Sequence, residues 1–86
     1  MTVDRAAELV LKAHPHVEIV SAHDYRGDYL FVAPDKKLGI LGDYNDPYYV
    51  VDKRTGEVRA ITPLEDFAGF DEAFSKKQLE LTKRTR

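Results

Sequence analysis

Three histidines, fifteen carboxylates and two serines are the residues of this chain able to carry metal, acid–base or nucleophilic chemistry. Their spacing decides which of these is open. His14 and His16 flank Pro15 and could offer two nitrogens to one ion, but a zinc site ordinarily takes at least three protein ligands. His23, with Asp24 beside it, would complete a set only if the first hairpin folded back onto that end of the chain. The simpler reading places His14 at the negative end of a helix dipole, which favours its protonated form and gives weak pH sensitivity near neutrality, with the other two exposed.

The carboxylates do not fall into a pair with divided roles. Asp24 and Asp28 flank a turn and Asp43 and Asp46 lie in a long loop, where nothing fixes the separation that a general acid and its partner base require. Asp43-Tyr44-Asn45-Asp46 is rich in oxygen ligands, yet the twelve-residue calcium loop ending in glutamate is missing, and Asp and Asn are ordinary turn formers. Ser21 and Ser75 lie in no Gly-x-Ser-x-Gly elbow. Gly39 and Gly42 lack the spacing of a phosphate cradle. The residues therefore predict no catalytic group, no metal site and no cofactor, and the chain is not expected to be an enzyme.

The aromatic residues are more informative. Tyr25, Tyr29, Tyr44, Tyr48 and Tyr49 cluster in or beside the expected hairpins, interleaved with Asp24, Asp28, Asp43 and Asp46. Tyrosine joins a large contact area to a polar tip with few torsions to freeze, which suits it to interfaces. Tyr25, Asp28, Tyr44, Asp46 and Tyr48 are the candidate protein-interaction residues, forming an acidic surface that would favour a basic partner. The competing reading is that several of these rings fill the core, since the chain has no Trp. Tyr29 and Phe31 at alternate positions have the spacing of a base-stacking strand, but only Arg26 and Lys36-Lys37 lie near enough to hold phosphates, so no nucleic-acid partner is expected.

These residues must be positioned by elements that hydropathy and punctuation mark out. Val3, Ala6, Ala7 and Val10 recur at helical spacing, Thr2 can cap the first turn, and Pro15 stops the helix, predicting residues 3–13. Residues 17–22 and 29–33 read as two strands around turn residues 24–28. The second strand is apolar on both sides, as a central strand would be. Residues 34–47 form the longest irregular stretch. Residues 48–52 and 57–61 make the clearest hairpin, closed by Lys53-Arg54-Thr55-Gly56, whose glycine suits a left-handed position. Thr62-Pro63-Leu64-Glu65 carries a capping hydroxyl, a proline at the first helical position and a glutamate three residues after the cap. It predicts a helix from residue 63 with Leu64, Phe67 and Ala68 inward, interrupted at Gly69. A second helical segment from residue 70 or 71 to about 78 follows. Leu79 and Leu81 either extend it or form a last strand.

Eighty-six residues support one domain. A 43% hydrophobic content is enough for a folded core. The expected fold class is α+β: an N-terminal helix, an antiparallel sheet of two hairpins with about four strands, and a short C-terminal helical region on the sheet. Both helices are expected on one face through Val10, Phe67 and Phe74, with the other face partly open or used in self-association. A homodimer is compatible with an uncovered edge or face. Thirteen basic against fifteen acidic residues give no general attraction to a phosphate backbone. The basic residues of 82–86 read as a frayed tail. The absence of cysteine suits a reducing compartment, Asp4 stands where a secretory signal wants basic residues, and no apolar run reaches membrane length. A soluble, cytoplasmic chain is expected.

Residues 48–58, Tyr-Tyr-Val-Val-Asp-Lys-Arg-Thr-Gly-Glu-Val, following a helix and a first hairpin, and the succeeding Ile61-Thr62-Pro63-Leu64 and Phe67, resemble small bacterial and phage-encoded α+β domains of uncharacterised or immunity-type function. The resemblance implies a helix laid against a short antiparallel sheet, and non-enzymatic action through contact with an unknown protein partner. A small structural or self-assembling protein is the first alternative, and an uncharacterised enzyme, with a concave pocket gathering His23 and nearby acids, is the second.

Overall fold

A computed structural model describes residues 1–39 and 48–81. Its elements are α1 (Val3–Ala13), β1 (Ser21–Tyr25), β2 (Asp28–Val32), β3 (Tyr48–Val51), β4 (Val58–Ile61), a 3₁₀ turn (Pro63–Glu65) and α2 (Phe67–Ser75). The strands form one antiparallel sheet in the order β1-β2-β3-β4. The expected α+β class, with its N-terminal helix, four strands and C-terminal helix on the sheet, is what the chain adopts.

Helix α1 begins as its sequence predicts, with the Thr2 hydroxyl accepting from the Arg5 amide (3.1 Å). It buries Ala6, Ala7 and Val10, and small residues on that stripe let the helix lie close to the strands. The hairpin between β3 and β4 also follows local chemistry. The Asp52 carboxylate accepts from the amides of Arg54 (2.7 Å) and Thr55 (2.9 Å), and the Gly56 amide bonds back to the Asp52 carbonyl (2.8 Å). Gly56 sits at φ +80, where only glycine is unstrained. The same solution recurs at Asp35: its carboxylate accepts from Lys37 (2.7 Å) and Leu38 (3.2 Å), and the Gly39 amide returns to its carbonyl (2.8 Å).

The first strand departs from expectation. Residues 17–22 were the expected span, whereas β1 covers Ser21–Tyr25 and the turn shrinks to Arg26-Gly27, both at positive φ. That is the signature of a two-residue type I′ hairpin. Upstream, Val17 pairs with Asp35 while Ser21 pairs with Val32. Four steps on one strand therefore oppose three on the other, which inserts one extra residue, a β-bulge. Side-chain parity reverses across it. Val17, Ile19 and Ala22 consequently all enter the core beneath α1, and Ser21, His23 and Tyr25 turn to the opposite face. The blurred alternation of 17–22 is the sequence trace of this bulge.

The two helices do not share a face, contrary to the single-face expectation. Beneath α1 lie Ala22, Phe31, Tyr49 and Val51; beneath α2 lie Tyr25, Leu30, Val50 and Ile61 with Phe70 and Ala73. The reason is visible in β2 and β3, where Leu30 and Val50 on one side and Phe31 and Val51 on the other are nearly or wholly buried. Both sides need cover, and one short helix cannot supply two.

The C-terminal elements also differ from the expected ones. The Thr62 amide donates to the Glu65 carboxylate (2.8 Å), but the chain makes only a 3₁₀ turn there. A fresh helix then starts at Asp66, whose side chain accepts from the Gly69 amide (3.1 Å). Gly69 lies inside α2 rather than breaking it. Residues 76–81 are neither helix nor strand, and the Leu79 amide donates to the Ala22 carbonyl (2.9 Å). Leu79 and Leu81 pack against the α1 side, so the segment wraps the outer edge of β1. The expected tail at 82–86 and most of the 34–47 loop lie outside the described residues. Among the described residues, no helix is long and apolar enough to cross a membrane.

Candidate functional site

Two of the tyrosines grouped in the sequence as a contact surface, Tyr25 and Tyr49, are spent inside. Tyr25 is only 4% exposed. Its hydroxyl donates to the Asp66 carboxylate (2.6 Å) and its ring packs edge-on to Phe70 at 5.8 Å. It is a core residue and presents no contact surface, because the bulge turned it beneath α2. Asp28 is half-buried and accepts from the Lys53 amide (3.3 Å). Tyr29 donates to the Met1 carbonyl (3.0 Å) under the Lys53 ammonium, which stands 4.5 Å from its ring centre. Tyr49 is buried beside His14, at 4.3 Å between rings. Tyr44 and Asp46 lie outside the described residues. Of the three described candidates, Tyr48 is the one placed on an accessible apolar surface.

The histidines separate in the same way. His14 rests on Tyr49. His23 is buried within β1 instead of following the strand, 4% exposed, with Nε2 2.9 Å from the Ser21 hydroxyl and Nδ1 buried without a hydrogen-bond partner. Its ring lies 4.4 Å from that of Phe74. Burial holds its pKa below the ordinary 6.5, with the Ala73 backbone acting in the opposite sense. Asp24 faces the other side of the sheet and pairs with Lys53 (3.0 Å), so His23 and Asp24 do not combine.

Asp66 is the polar joint between α2 and the first hairpin. One oxygen takes Tyr25 and the Arg26 Nε (2.6 Å), and the other takes the Arg26 terminal nitrogen (2.9 Å) and the Gly69 amide. This bidentate clamp holds Arg26 at φ 47, an uncommon conformation for a residue with a side chain. The Arg26 and Tyr25 donors, with the Gly69 amide, hold the Asp66 carboxyl well below the usual carboxylate range. A side chain at Gly69 would collide with that carboxylate, which is why glycine stands in the first turn of α2.

Beside this joint is a shallow depression of about 280 Å³ lined by Tyr48, Pro63, Phe67, Phe70, Asp71 and Phe74. Phe70 is its buried floor. Tyr48 stands edge-on to Phe70 at 5.1 Å and 89° and to Phe74 at 6.0 Å and 72°. Phe67 is 54% exposed, Phe74 41%, and Leu64, next to Pro63, 61%. Asp71 is the charged member. Nine helical residues offer Phe67, Ala68, Phe70, Ala73 and Phe74, more apolar surface than one stripe can bury. The core takes Phe70 and Ala73, and the outer two phenylalanines remain at the surface. Sequence reading put Phe67 and Phe74 inside and so missed the site. The signal available was the excess of apolar residues over the capacity of so short a helix.

No family model, curated protein or solved structure matches the chain.

Proposed function

We propose that the chain is a non-enzymatic protein-interaction module of the cytoplasm, and that the aromatic depression is where its partner docks. The observation that carries this reading is the exposure of Phe67 and Phe74 around a buried Phe70 in one depression. Burying one such side chain contributes roughly 1.5–3 kcal/mol, and interfaces draw most of their energy from a few aromatic anchors of this kind. The resemblance of residues 48–58 to small bacterial and phage-encoded domains of uncharacterised or immunity-type function is in line with the same class of action. In this reading Tyr48 is retained from the sequence-derived contact set and Tyr25 is replaced by the phenylalanines of α2.

The test is cross-linked capture from the native host, comparing wild type with a Phe67→Ala, Phe74→Ala variant of preserved circular dichroism. A partner that disappears with the variant supports the site, and an unchanged partner set removes it. Self-assembly is the second reading, favoured by β4, which ends the sheet with no described segment on its outer edge. It predicts a mass that rises with concentration in the absence of any other protein.

A further inference from the structure

The depression combines three features that together specify what enters it. Its walls are ring faces in two orientations, since Tyr48 stands nearly perpendicular to Phe70 and steeply inclined to Phe74. Among the described residues its one charged lining residue is Asp71, which is exposed and in no ion pair there. The segment that supplies most of its lining is acidic: residues 62–75 contain Glu65, Asp66, Asp71 and Glu72 and no Lys, Arg or His. Two of these charges are already answered, Asp66 by Arg26 at 2.6 Å and Glu72 by Lys76 at 3.3 Å. Glu65 is occupied in accepting from the Thr62 amide. Asp71 is left as the carboxylate available to an incoming group.

A cation over aromatic faces is attracted by the ring quadrupole, and a carboxylate at the rim adds direct charge pairing. The volume of about 280 Å³ falls just below the range of small-molecule sites, about 300–1,000 Å³. It suits one side chain of a longer segment. Arginine fits these walls better than lysine, because its planar, weakly hydrated guanidinium stacks on rings while still pairing with a carboxylate. Its methylene stem can meanwhile lie on Pro63 and Phe67. Nucleic acid and anionic lipid are both repelled by the acidic setting.

We infer that the aromatic depression binds an arginine side chain projecting from a basic protein segment, stacked on the Phe67, Phe74 and Tyr48 rings and paired with Asp71. This deepens the interaction reading and rests on it. The experiment pans a displayed random heptapeptide library against wild type, Phe67→Ala and Asp71→Asn, all checked for unchanged thermal unfolding. Wild type is expected to enrich arginine flanked by apolar residues. Phe67→Ala is expected to lose the enrichment, and Asp71→Asn to lose the arginine preference, weakening a selected peptide about three- to fivefold. Enrichment of uncharged apolar peptides that depends on Phe67 but is indifferent to Asp71→Asn overturns the arginine inference and leaves the docking site standing. Peptides insensitive to Phe67→Ala, or no enrichment above the Phe67→Ala background, overturn both.

Discussion

His23 and Gly69 show how much of this molecule turns on single side chains. Because the native pocket keeps His23 neutral, its folded pKa lies below the unfolded value of 6.5, so the unfolded chain binds the extra proton first. Stability is thus complete above about pH 6.5 and declines as pH falls from there toward the folded pKa. Urea midpoints at pH 7.5 and 5.0 should show that decline in wild type, and His23→Leu should flatten it. An unchanged slope in the variant assigns the decline elsewhere. The hydrogen-bonded carboxylates Asp35, Asp52 and Asp66, whose pKa values are lowered from 3.8, act in a separate window. Their contribution is present above that value and is lost below it. At Gly69 two effects oppose each other. Alanine in a helix normally gains about 1 kcal/mol over glycine, but here the added carbon meets the Asp66 carboxylate and lies 2.7 Å from Arg26 Nε. Crowding should win, and Gly69→Ala should lose roughly 1–3 kcal/mol by equilibrium unfolding. In an Asp66→Ala background the same change should lose much less, because the group it strikes is gone.

Among the elements, the bulge before β1 has the widest consequences. It is one residue, yet it decides whether Ser21, His23 and Tyr25 or Ala22 and Asp24 face α2. Deleting Val20 restores an even register between residues 17–21 and 32–35, and the parity rule then forces one half of the strand to present its polar side to a core. The deletion should abolish the sharp unfolding transition and expose apolar surface to dye. A cooperative transition near the wild-type midpoint would show that the parity change is absorbed without loss of packing. Short-range chemistry made other elements readable in advance: the Thr2 cap and Pro15 stop for α1, and Asp52 with Gly56 for the β3–β4 turn. The start of α2 was misplaced for a physical reason. The Thr62-Pro63-Glu65 signal is genuine and is used, but for a single 3₁₀ turn, while Asp66 is drawn by Arg26 and Tyr25 into capping the next helix.

In the whole molecule, one sheet serves two cores. Phe31 anchors the α1 side and Leu30 the α2 side, both fully buried. An 86-residue chain has about 4–13 kcal/mol of total stability. Phe31→Ala should remove roughly 3–5 kcal/mol and Leu30→Ala roughly 2–5 kcal/mol. Because the strands are shared, either substitution should lower a single common transition seen by near- and far-ultraviolet dichroism alike, whereas independent cores would melt separately. By itself the sequence determined whatever neighbours in the chain can settle: α1 and its cap, the presence of the two hairpins, and the α+β class. Only the tertiary structure decided which rings are spent in the core, that the helices divide between two faces, and that Phe67, Phe74 and Asp71 line one accessible depression. Those outcomes depend on partners forty or more residues apart, such as Arg26 with Asp66 and Tyr25 with the same carboxylate. They depend too on a one-residue change of register whose trace in the sequence is only a blurred alternation over residues 17–22.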